Sequence, residues 1–279
     1  MKVGAIIQAR TSSTRLPAKV LKKLPYDSDI TVLQQVIRRV NRASTLDEVV
    51  VATTTEPEDR IITEIAEREG IKWFRGSKND VLGRYYHCAK ENNIDVIVRI
   101  TSDCPCIDWD IIDELVEEHI KNKADYTSNV LERSYPHGLD VEVISFDALE
   151  QAHCEAKQDF EREHVCPYIN RTQKDRFKIH GVKAPPELSA PDIRITLDTE
   201  EDYALLCAVF DYLFYENNFF GAEDIVRLFK EKPWLKLINK KVVQKKIFNS
   251  LEEEIEEAKR LLELQELKNV KKLLEEWKI

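Results

Sequence analysis

The chain has 279 residues, of which 43% are hydrophobic, so it is long and apolar enough to fill a substantial core. Its formal net charge of -9 argues against a general nucleic-acid-binding protein, which would present a basic face. No stretch approaches the apolar length of a membrane span, and the N-terminus lacks the pattern of a signal peptide. We therefore expect a cytoplasmic protein with neither a nucleic-acid nor a membrane partner.

The first half of the chain alternates between strand and helix patterns. Its first strand is an apolar run, and the apolar residues of its first helix recur on one helical face. The predicted strands are 3–7, 48–53, 71–74 and 95–100, and the predicted helices are 30–43, 57–68, 79–89 and 108–121. Such alternation is typical of a mostly parallel sheet with helices on both faces, so the predicted class is α/β.

The second half is less regular. The predicted strands are 139–144, 177–182 and 193–197, and the predicted helices are 145–154, 160–170 and 199–214. We interpret this half as an extension of the sheet, with room for antiparallel strands, that carries the acceptor side of a site.

Residues 250–279 differ in composition from the rest, since they are rich in Glu, Lys and Leu and contain no glycine or proline. Apolar residues recur at helical spacing from Leu251 onward, and Ser250 with Glu253 forms a capping-box pattern. One amphipathic helix is predicted, whose apolar stripe packs either on its own domain or on a second subunit of a homodimer. The predicted domains are therefore 1–240 and a helical extension over 241–279.

The loop after the first predicted strand carries three cations, Arg10, Arg15 and Lys19, beside four consecutive hydroxyl side chains at positions 11–14. Arginine forks and hydroxyl groups hydrogen-bond phosphate oxygens. Because ligands of an open parallel sheet lie at the carboxyl ends of its strands, this loop is where a nucleoside triphosphate would bind. The chain has only 7 glycines and no glycine-rich phosphate motif, so side chains must hold the phosphates. A basic surface turn is the alternative.

Two aspartates follow predicted strands at the same edge. Asp103 lies in the turn after strand 95–100, and Asp198 lies where strand 193–197 gives way to a helix. Two carboxylates facing a cationic loop are typical of Mg²⁺ held between a protein and substrate phosphates. Each also has a structural alternative, Asp103 as a turn or cap residue and Asp198 as the start of a helix.

A third polar region contains Gly138, Asp140 and Glu142. Glycine permits a close approach of the backbone to a ligand. The two carboxylates would share one face of the following strand, where they either bind sugar hydroxyls or face solvent. His164 lies in a helical Glu-Arg-Glu-His segment, which is either a salt-bridged surface or a contact for a carboxylate or phosphate of an acceptor.

The segment Ile6-Ile-Gln-Ala-Arg-Thr-Ser-Ser-Thr-Arg-Leu-Pro-Ala-Lys19 resembles the N-terminal signature of the cytidylyltransferases that make CMP-linked acidic sugars. These are the acylneuraminate and 3-deoxy-manno-octulosonate cytidylyltransferases. The likeness is closest to the branch typified by the spore coat polysaccharide biosynthesis protein F. That branch has segments similar to 74–85, 99–105, 138–143, 163–165 and 197–203, so the resemblance spans most of residues 2–240 but not the C-terminal helix.

The resemblance implies a Rossmann-like nucleotide-diphospho-sugar transferase fold, with the three loop cations on the triphosphate and with Mg²⁺ on Asp103 and Asp198. The predicted catalytic residues are Arg10, Lys19 and Asp103. The predicted nucleotide-binding residues are Arg10, Ser12, Ser13, Arg15, Lys19, Arg75, Asp80 and Arg84. The predicted acceptor-binding residues are Gly138, Asp140, Glu142 and His164. The acceptor half departs from that of the octulosonate enzymes, so the identity of the acceptor stays open.

The resulting hypothesis is nucleotidyl transfer. An oxygen of an acidic sugar or a sugar phosphate attacks the α-phosphorus of CTP, or of another nucleoside triphosphate, and pyrophosphate leaves in line. One alternative is a glycosyltransferase that uses a nucleotide sugar. The triplet Asp108-Trp-Asp110 has the D-x-D form that such an enzyme needs, but it opens a predicted helix. The other alternative is a non-catalytic subunit that binds nucleotide sugars and releases no pyrophosphate.

Overall fold

A computed structural model describes residues 1–243 and 251–276 of the chain. The centre of the described part is a seven-stranded sheet with the strand order β3-β2-β1-β4-β6-β5-β7. The strands are β1 (Val3–Gln8), β2 (Glu48–Thr54), β3 (Lys72–Gly76), β4 (Val96–Thr101), β5 (Tyr126–Ser128), β6 (Glu142–Ser145) and β7 (Ile179–Gly181).

The sheet is mostly parallel, as predicted. β1 pairs in parallel with β2 and β4, and β2 pairs in parallel with β3. β6 is antiparallel to both of its neighbours, β4 and β5, while β7 is parallel to β5. Because Gln8 at the end of β1 lies opposite Thr101 at the end of β4, the segments that follow these two strands leave the sheet side by side.

Helices cover both faces of the sheet, which confirms the predicted α/β class. On β1, Ala5 and Ile7 face one apolar core, and Ile6 faces the other, so this strand is buried on both sides. Helices α1, α4, α7 and α8 contribute to the first core, and α3 and α5 contribute to the second. The helices of residues 1–243 are α1 (Val32–Val40), α2 (Arg60–Arg68), α3 (Val81–Glu91), α4 (Trp109–Asn122), α5 (Phe146–Glu155), α6 (Asp159–His164), α7 (Glu200–Leu213) and α8 (Ala222–Glu231).

Two predicted elements of the second half are wrong. Residues 193–197 form no strand: their backbone bonds go to His137 and Asp103, which belong to separate irregular segments. The helix predicted over 160–170 ends at His164, because Val165 has a φ of 72° that interrupts the helical path. A π-helical turn follows at Tyr168–Thr172. Strand β5 and helix α8 have no counterpart among the predicted elements.

The contacts divide the chain into two compact units, 1–242 and 243–279. The second unit contains α9 (Leu251–Leu264) and α10 (Lys268–Glu276), so the single helix predicted here is wrong. The break coincides with Glu266, whose φ of 57° is left-handed. The predicted cap at Ser250 lies outside the described residues. No helix among the described residues is long and apolar enough to cross a membrane.

Candidate functional site

The loop after β1 folds into a compact turn. The carbonyl group of Thr11 accepts a hydrogen bond from the N–H group of Ala18 at 3.0 Å, and Ala18 has a left-handed φ of 52°. This turn leaves Arg10 and Arg15 exposed to solvent. It directs Lys19 inward, so that only 14% of the lysine side chain is exposed.

Lys19 joins two aspartates that lie far apart in the sequence. Its Nζ donates to Asp103 Oδ2 at 2.7 Å, to Asp198 Oδ1 at 3.0 Å and to the carbonyl oxygen of Leu197 at 2.8 Å. Asp103 lies in the turn after β4, and Asp198 lies just before α7. The structure thus brings the loop cation and both predicted metal ligands to one point at the carboxyl edge of the sheet.

The charges of this cluster shift the pKa values of its members. Burial by itself raises the pKa of Asp103, but the Lys19 ammonium outweighs it and lowers that pKa to about 2. The pKa of Asp198 is lowered in the same way, because Lys19 overcomes the effect of burial. Burial by itself lowers the pKa of Lys19, but the two carboxylates raise that pKa by a larger amount, so the net shift is upward. All three groups are therefore charged at neutral pH.

A second set of ion pairs fixes the orientation of Asp198. Arg15 Nη2 lies 2.9 Å from its Oδ1, and Arg194 Nη2 lies 2.9 Å from its Oδ2. Arg194 also donates from Nε to the fully buried Asp202 at 2.9 Å. Asp202 in turn accepts a hydrogen bond from the backbone N–H of Asp198 at 3.0 Å. The carboxylate of Asp198 is thus held from both sides by the folded chain.

Two of the predicted nucleotide-binding residues are engaged within the protein. Arg75 donates to the carbonyl oxygens of Thr54 and Glu56, both at 2.8 Å. Asp80 caps α3 by accepting from a backbone N–H of its first turn, and it forms an ion pair with Arg162 at 2.5 Å. Each side chain thus holds a neighbouring part of the chain: Arg75 holds the turn after β2, and Asp80 joins α3 to α6.

Arg84 is buried, with 3% of its surface exposed, and it donates to the carbonyl oxygen of Ser77 at 2.7 Å. Burial is the main cause that lowers its pKa, and the nearby Arg10 adds to that effect. Arg10 forms no ion pair with another residue of the described ranges. Ser12 and Ser13 of the loop are both half-buried. Ser13 Oγ accepts a hydrogen bond of 3.5 Å from the backbone N–H group of Leu16.

On the predicted acceptor side, Gly138 has a φ of 118°. A Cβ atom at this position would lie 2.7 Å from the carbonyl carbon and oxygen of Ile195. Within the protein, the close approach that this glycine permits is to the backbone of Ile195.

Asp140 is held by the two branches of Arg133, at 2.8 and 3.0 Å. His137 lies between this pair and the aspartate cluster. Its Nδ1 accepts a hydrogen bond from Arg194 Nη1 at 3.1 Å, and its Nε2 lies 3.7 Å from Asp140 Oδ2. A guanidinium group only donates, so the ring hydrogen of His137 is on Nε2, toward Asp140. Burial is the main cause that lowers the pKa of His137.

Glu142 is 9% exposed, so the solvent-facing alternative is wrong for it. Its carboxylate pairs with Arg99 and accepts a hydrogen bond from the hydroxyl group of Tyr126 at 2.5 Å. β6 begins at Glu142, so Asp140 precedes the strand and the two carboxylates do not share one strand face. His164 is the last residue of α6 and is half-buried.

The D-x-D triplet has a structural role. Asp108 caps α4 by accepting from the backbone N–H of Asp110 at 2.8 Å, and its other oxygen accepts from the N–H of Ala222 at 2.6 Å. Asp108 thus accepts backbone hydrogen bonds at the starts of α4 and α8 and joins these two helices.

Several residues of this region were not predicted from the sequence: Arg133, His137, Arg194 and Asp202. Asp202 lies within the segment 197–203 of the family resemblance, but the pairing of Arg194 with Asp198 and Asp202, and its contact with His137, depend on the folded structure. The one local signal for Asp202 in the sequence is its spacing, since it is a carboxylate four residues after Asp198.

Comparison with known proteins gives a consistent result. A family model described as "Cytidylyltransferase" matches residues 4–247. The chain is 40% identical over 249 residues to an uncharacterized protein of Methanocaldococcus jannaschii, covering 88% of this chain and 97% of that protein. It is 31% identical over 233 residues to the spore coat polysaccharide biosynthesis protein SpsF of Bacillus subtilis, covering 82% and 94%. A solved cytidylyltransferase structure from Leptospira borgpetersenii superposes with a TM-score of 0.79 at 35% identity, covering 88% of this chain and all of that one.

The pKa of Asp103 predicts how stability depends on pH. A carboxyl group whose pKa is lower in the folded state stabilises that state above its unfolded pKa, and the effect is lost as the pH falls through the folded pKa. The difference in unfolding free energy between wild type and Asp103→Asn should therefore be constant from about pH 5 to about pH 8 and decrease from about pH 4 to about pH 2. Urea unfolding followed by circular dichroism at each pH measures it. A difference that stays constant throughout this range would contradict the ion pair.

The contact of Gly138 predicts the effect of a methyl group. Gly138→Ala forces an L-residue into a disfavoured φ and against Ile195, so it should destabilise the fold by roughly 1–3 kcal/mol or more. Gly181→Ala is the matched control, because its nearest neighbour is 3.7 Å away, and it should change stability by less than about 0.5 kcal/mol. The urea concentrations at the midpoints of unfolding compare the stabilities of the two variants. Equal midpoints would contradict the packing role of Gly138.

Proposed function

Because the chain belongs to the cytidylyltransferase family, we propose that it transfers a cytidylyl group from CTP to an acidic sugar or a sugar phosphate and releases pyrophosphate. The family resemblance and the enzyme class predicted from the sequence, a nucleotidyltransferase, are confirmed. The observation that carries the proposal is the meeting of Lys19, Asp103 and Asp198 directly behind the cationic loop. By analogy with the name of the Bacillus relative, the product would be a nucleotide-activated sugar for surface polysaccharide or another glycan.

In this proposal the loop residues hold the triphosphate. Arg10 and Arg15 extend exposed guanidinium groups from the loop, and Ser12 and Ser13 supply hydroxyl groups between them. Lys19 is the innermost cation and lies next to the carboxylates. Negative charge accumulates on the departing pyrophosphate, so cations that are already in place stabilise the transition state more than the ground state.

The two aspartates fit a divalent cation. Oxygens of Asp103 and Asp198 already converge on one positive group, the ammonium of Lys19. No group of three or more His, Cys, Asp or Glu side chains suited to a metal occurs in the described ranges, so an ion held by these two aspartates would need water and phosphate oxygens to complete its shell. When bound by these aspartates, Mg²⁺ would neutralise charge on the α-phosphate.

The acceptor would lie on the side of the cluster formed by Arg133, His137, Asp140 and Arg194. These side chains are linked to the nucleotide side through the ion pair of Arg194 with Asp198. An acceptor held here would have one oxygen beside the aspartate cluster, in line with the leaving pyrophosphate. We also propose His164, and Glu142 with its partner Arg99, as residues of the acceptor side.

The glycosyltransferase alternative receives no support from the geometry, because Asp108 serves as a helix cap. A non-catalytic sugar-nucleotide-binding subunit would keep the nucleotide site but catalyse no transfer. Pyrophosphate release by the purified protein distinguishes that subunit from an enzyme.

The test of the function is a matrix of the four nucleoside triphosphates against ulosonic acids, other acidic sugars and sugar phosphates, with Mg²⁺ present. We expect pyrophosphate release with CTP and at least one acidic sugar or sugar phosphate, and a product of the corresponding CMP-linked mass. Release with another triphosphate would overturn the cytidylyl assignment and leave the reaction class standing. If no combination of triphosphate and acceptor releases pyrophosphate, the proposal that this protein is an enzyme is contradicted.

With an active pair in hand, Asp103→Asn keeps the side-chain shape and removes the charge. Loss of one preorganised electrostatic group costs about 3 kcal/mol of transition-state stabilisation, so kcat should fall roughly a hundredfold. Asp192→Asn, at a mostly exposed aspartate paired with Lys236, is the control and should leave kcat unchanged. An unchanged kcat in Asp103→Asn would remove Asp103 from the mechanism.

A further inference from the structure

The carboxylate of Asp59 is buried, with 1% of the residue exposed, and it is directed at the root of the cationic loop. Its Oδ1 accepts hydrogen bonds from the backbone N–H and from the hydroxyl group of Thr11, both at 2.7 Å. Its Oδ2 accepts a hydrogen bond from the hydroxyl group of Thr54. Thr11 directly follows Arg10, so this carboxylate holds the loop at the residue next to Arg10.

The side chain of Asp59 does not cap its own helix. Asp59 ends the 3₁₀ turn Pro57–Asp59 and stands at the N-cap position of α2, from which an aspartate can accept a hydrogen bond from the first turn of the helix. Its side chain makes no such bond. Both oxygens are instead directed away from α2, toward Thr11 and Thr54. Stabilisation of α2 therefore does not explain the contact.

The turn that carries Asp59 is itself held by several hydrogen bonds. Arg75 donates to the carbonyl oxygens of Thr54 and Glu56, and the hydroxyl group of Thr54 accepts from the N–H of Glu56 at 3.1 Å. Residues 54–59 thus form a braced turn between β2 and α2, and Asp59 connects this turn to the loop after β1. This also gives Arg75 a role that needs no direct contact with the nucleotide.

The electrostatic surroundings fit the same role. Arg10 and the buried Arg84 are like charges near each other, and Asp59 lies close enough to offset part of that repulsion. With Asp59 in place, the start of the loop is pinned and the guanidinium group of Arg10 remains available to an anion.

We propose that Asp59 is a positioning residue of the triphosphate loop: it fixes Thr11, and through Thr11 it places Arg10 to bind the triphosphate. This inference rests on the proposed cytidylyl transfer. It concerns the phosphate part of the nucleotide, so Asp59 affects CTP more than CMP, and it affects the acceptor little.

The variant Asp59→Ala removes all three hydrogen bonds, whereas Asp59→Asn keeps an oxygen that can still accept from Thr11. We expect Asp59→Ala to weaken CTP binding and to raise the KM for CTP by roughly tenfold to a hundredfold, since small misplacements of binding groups have effects of this size. The affinity for CMP and the KM for the acceptor should change less than about threefold, and Asp59→Asn should recover most of the loss. Thr11→Val, which removes one hydrogen bond, gives a smaller shift in the same direction and serves if Asp59→Ala does not fold.

Asp113 offers a matched control at the other edge of the sheet. Its two oxygens accept four hydrogen bonds from the N–H and hydroxyl groups of Ser44 and Thr45, at 2.6–2.9 Å. Asp113→Ala should therefore lower thermal stability and leave the ratio of CTP to CMP affinity unchanged.

The measurements are titration calorimetry with CTP and with CMP in the absence of acceptor, and steady-state kinetics with the active pair. An unchanged ratio of CTP to CMP affinity in Asp59→Ala, or an equal change in Asp113→Ala, would overturn the positioning role while the wild type still binds and turns over CTP. A wild type that neither binds CTP nor releases pyrophosphate would overturn the proposed function and this inference together.

Discussion

The ammonium group of Lys19, held between two aspartates, is the constraint on which the rest of the site depends. Two carboxylates brought this close would repel each other and one would take up a proton, unless a positive charge lay between them. Lys19 supplies that charge and keeps both Asp103 and Asp198 ionised. It thereby ties together three segments of the chain: the loop after β1, the turn after β4 and the segment before α7.

The strand order of the sheet places two of these segments next to each other. β1 and β4 are neighbours, so Lys19 and Asp103 emerge at one edge without any long connection. Asp198 comes from a segment outside the sheet and needs separate support, which Arg194 and the fully buried Asp202 provide. A buried ion pair is costly when one partner is missing, so this network favours a single arrangement of the charges. Such preorganisation is what catalysis of phosphoryl-type transfer requires from a protein.

Much of the first half could be predicted from the sequence. The spacing of its apolar residues distinguishes helices from strands and indicates which side of each element is buried. Asp103 could be proposed because the turn after β4 lies at the carboxyl edge of the sheet. Asp198 could be proposed for the same reason, although the strand predicted before it does not form. The segment 193–197 shows where this reasoning fails. Its alternating apolar residues are buried, as in a strand, but its backbone bonds reach His137 and Asp103 and form no ladder. The partners of Arg75, Arg194 and Asp59 are likewise set by tertiary contacts that no local pattern encodes.

A loop that binds phosphate through long side chains needs a fixed backbone where those side chains begin. A glycine-rich loop instead contacts its ligand with backbone N–H groups. Under the proposed function this chain takes the first course, and the turn before α2 supports the loop. The 3₁₀ turn Pro57–Asp59 runs directly into α2, and Glu56 is its N-cap residue, so the helical path begins before Asp59. The side chain of Asp59 makes no capping bond to α2 and holds Thr11 instead. The start of α2 and the position of Arg10 are thus two consequences of one short turn.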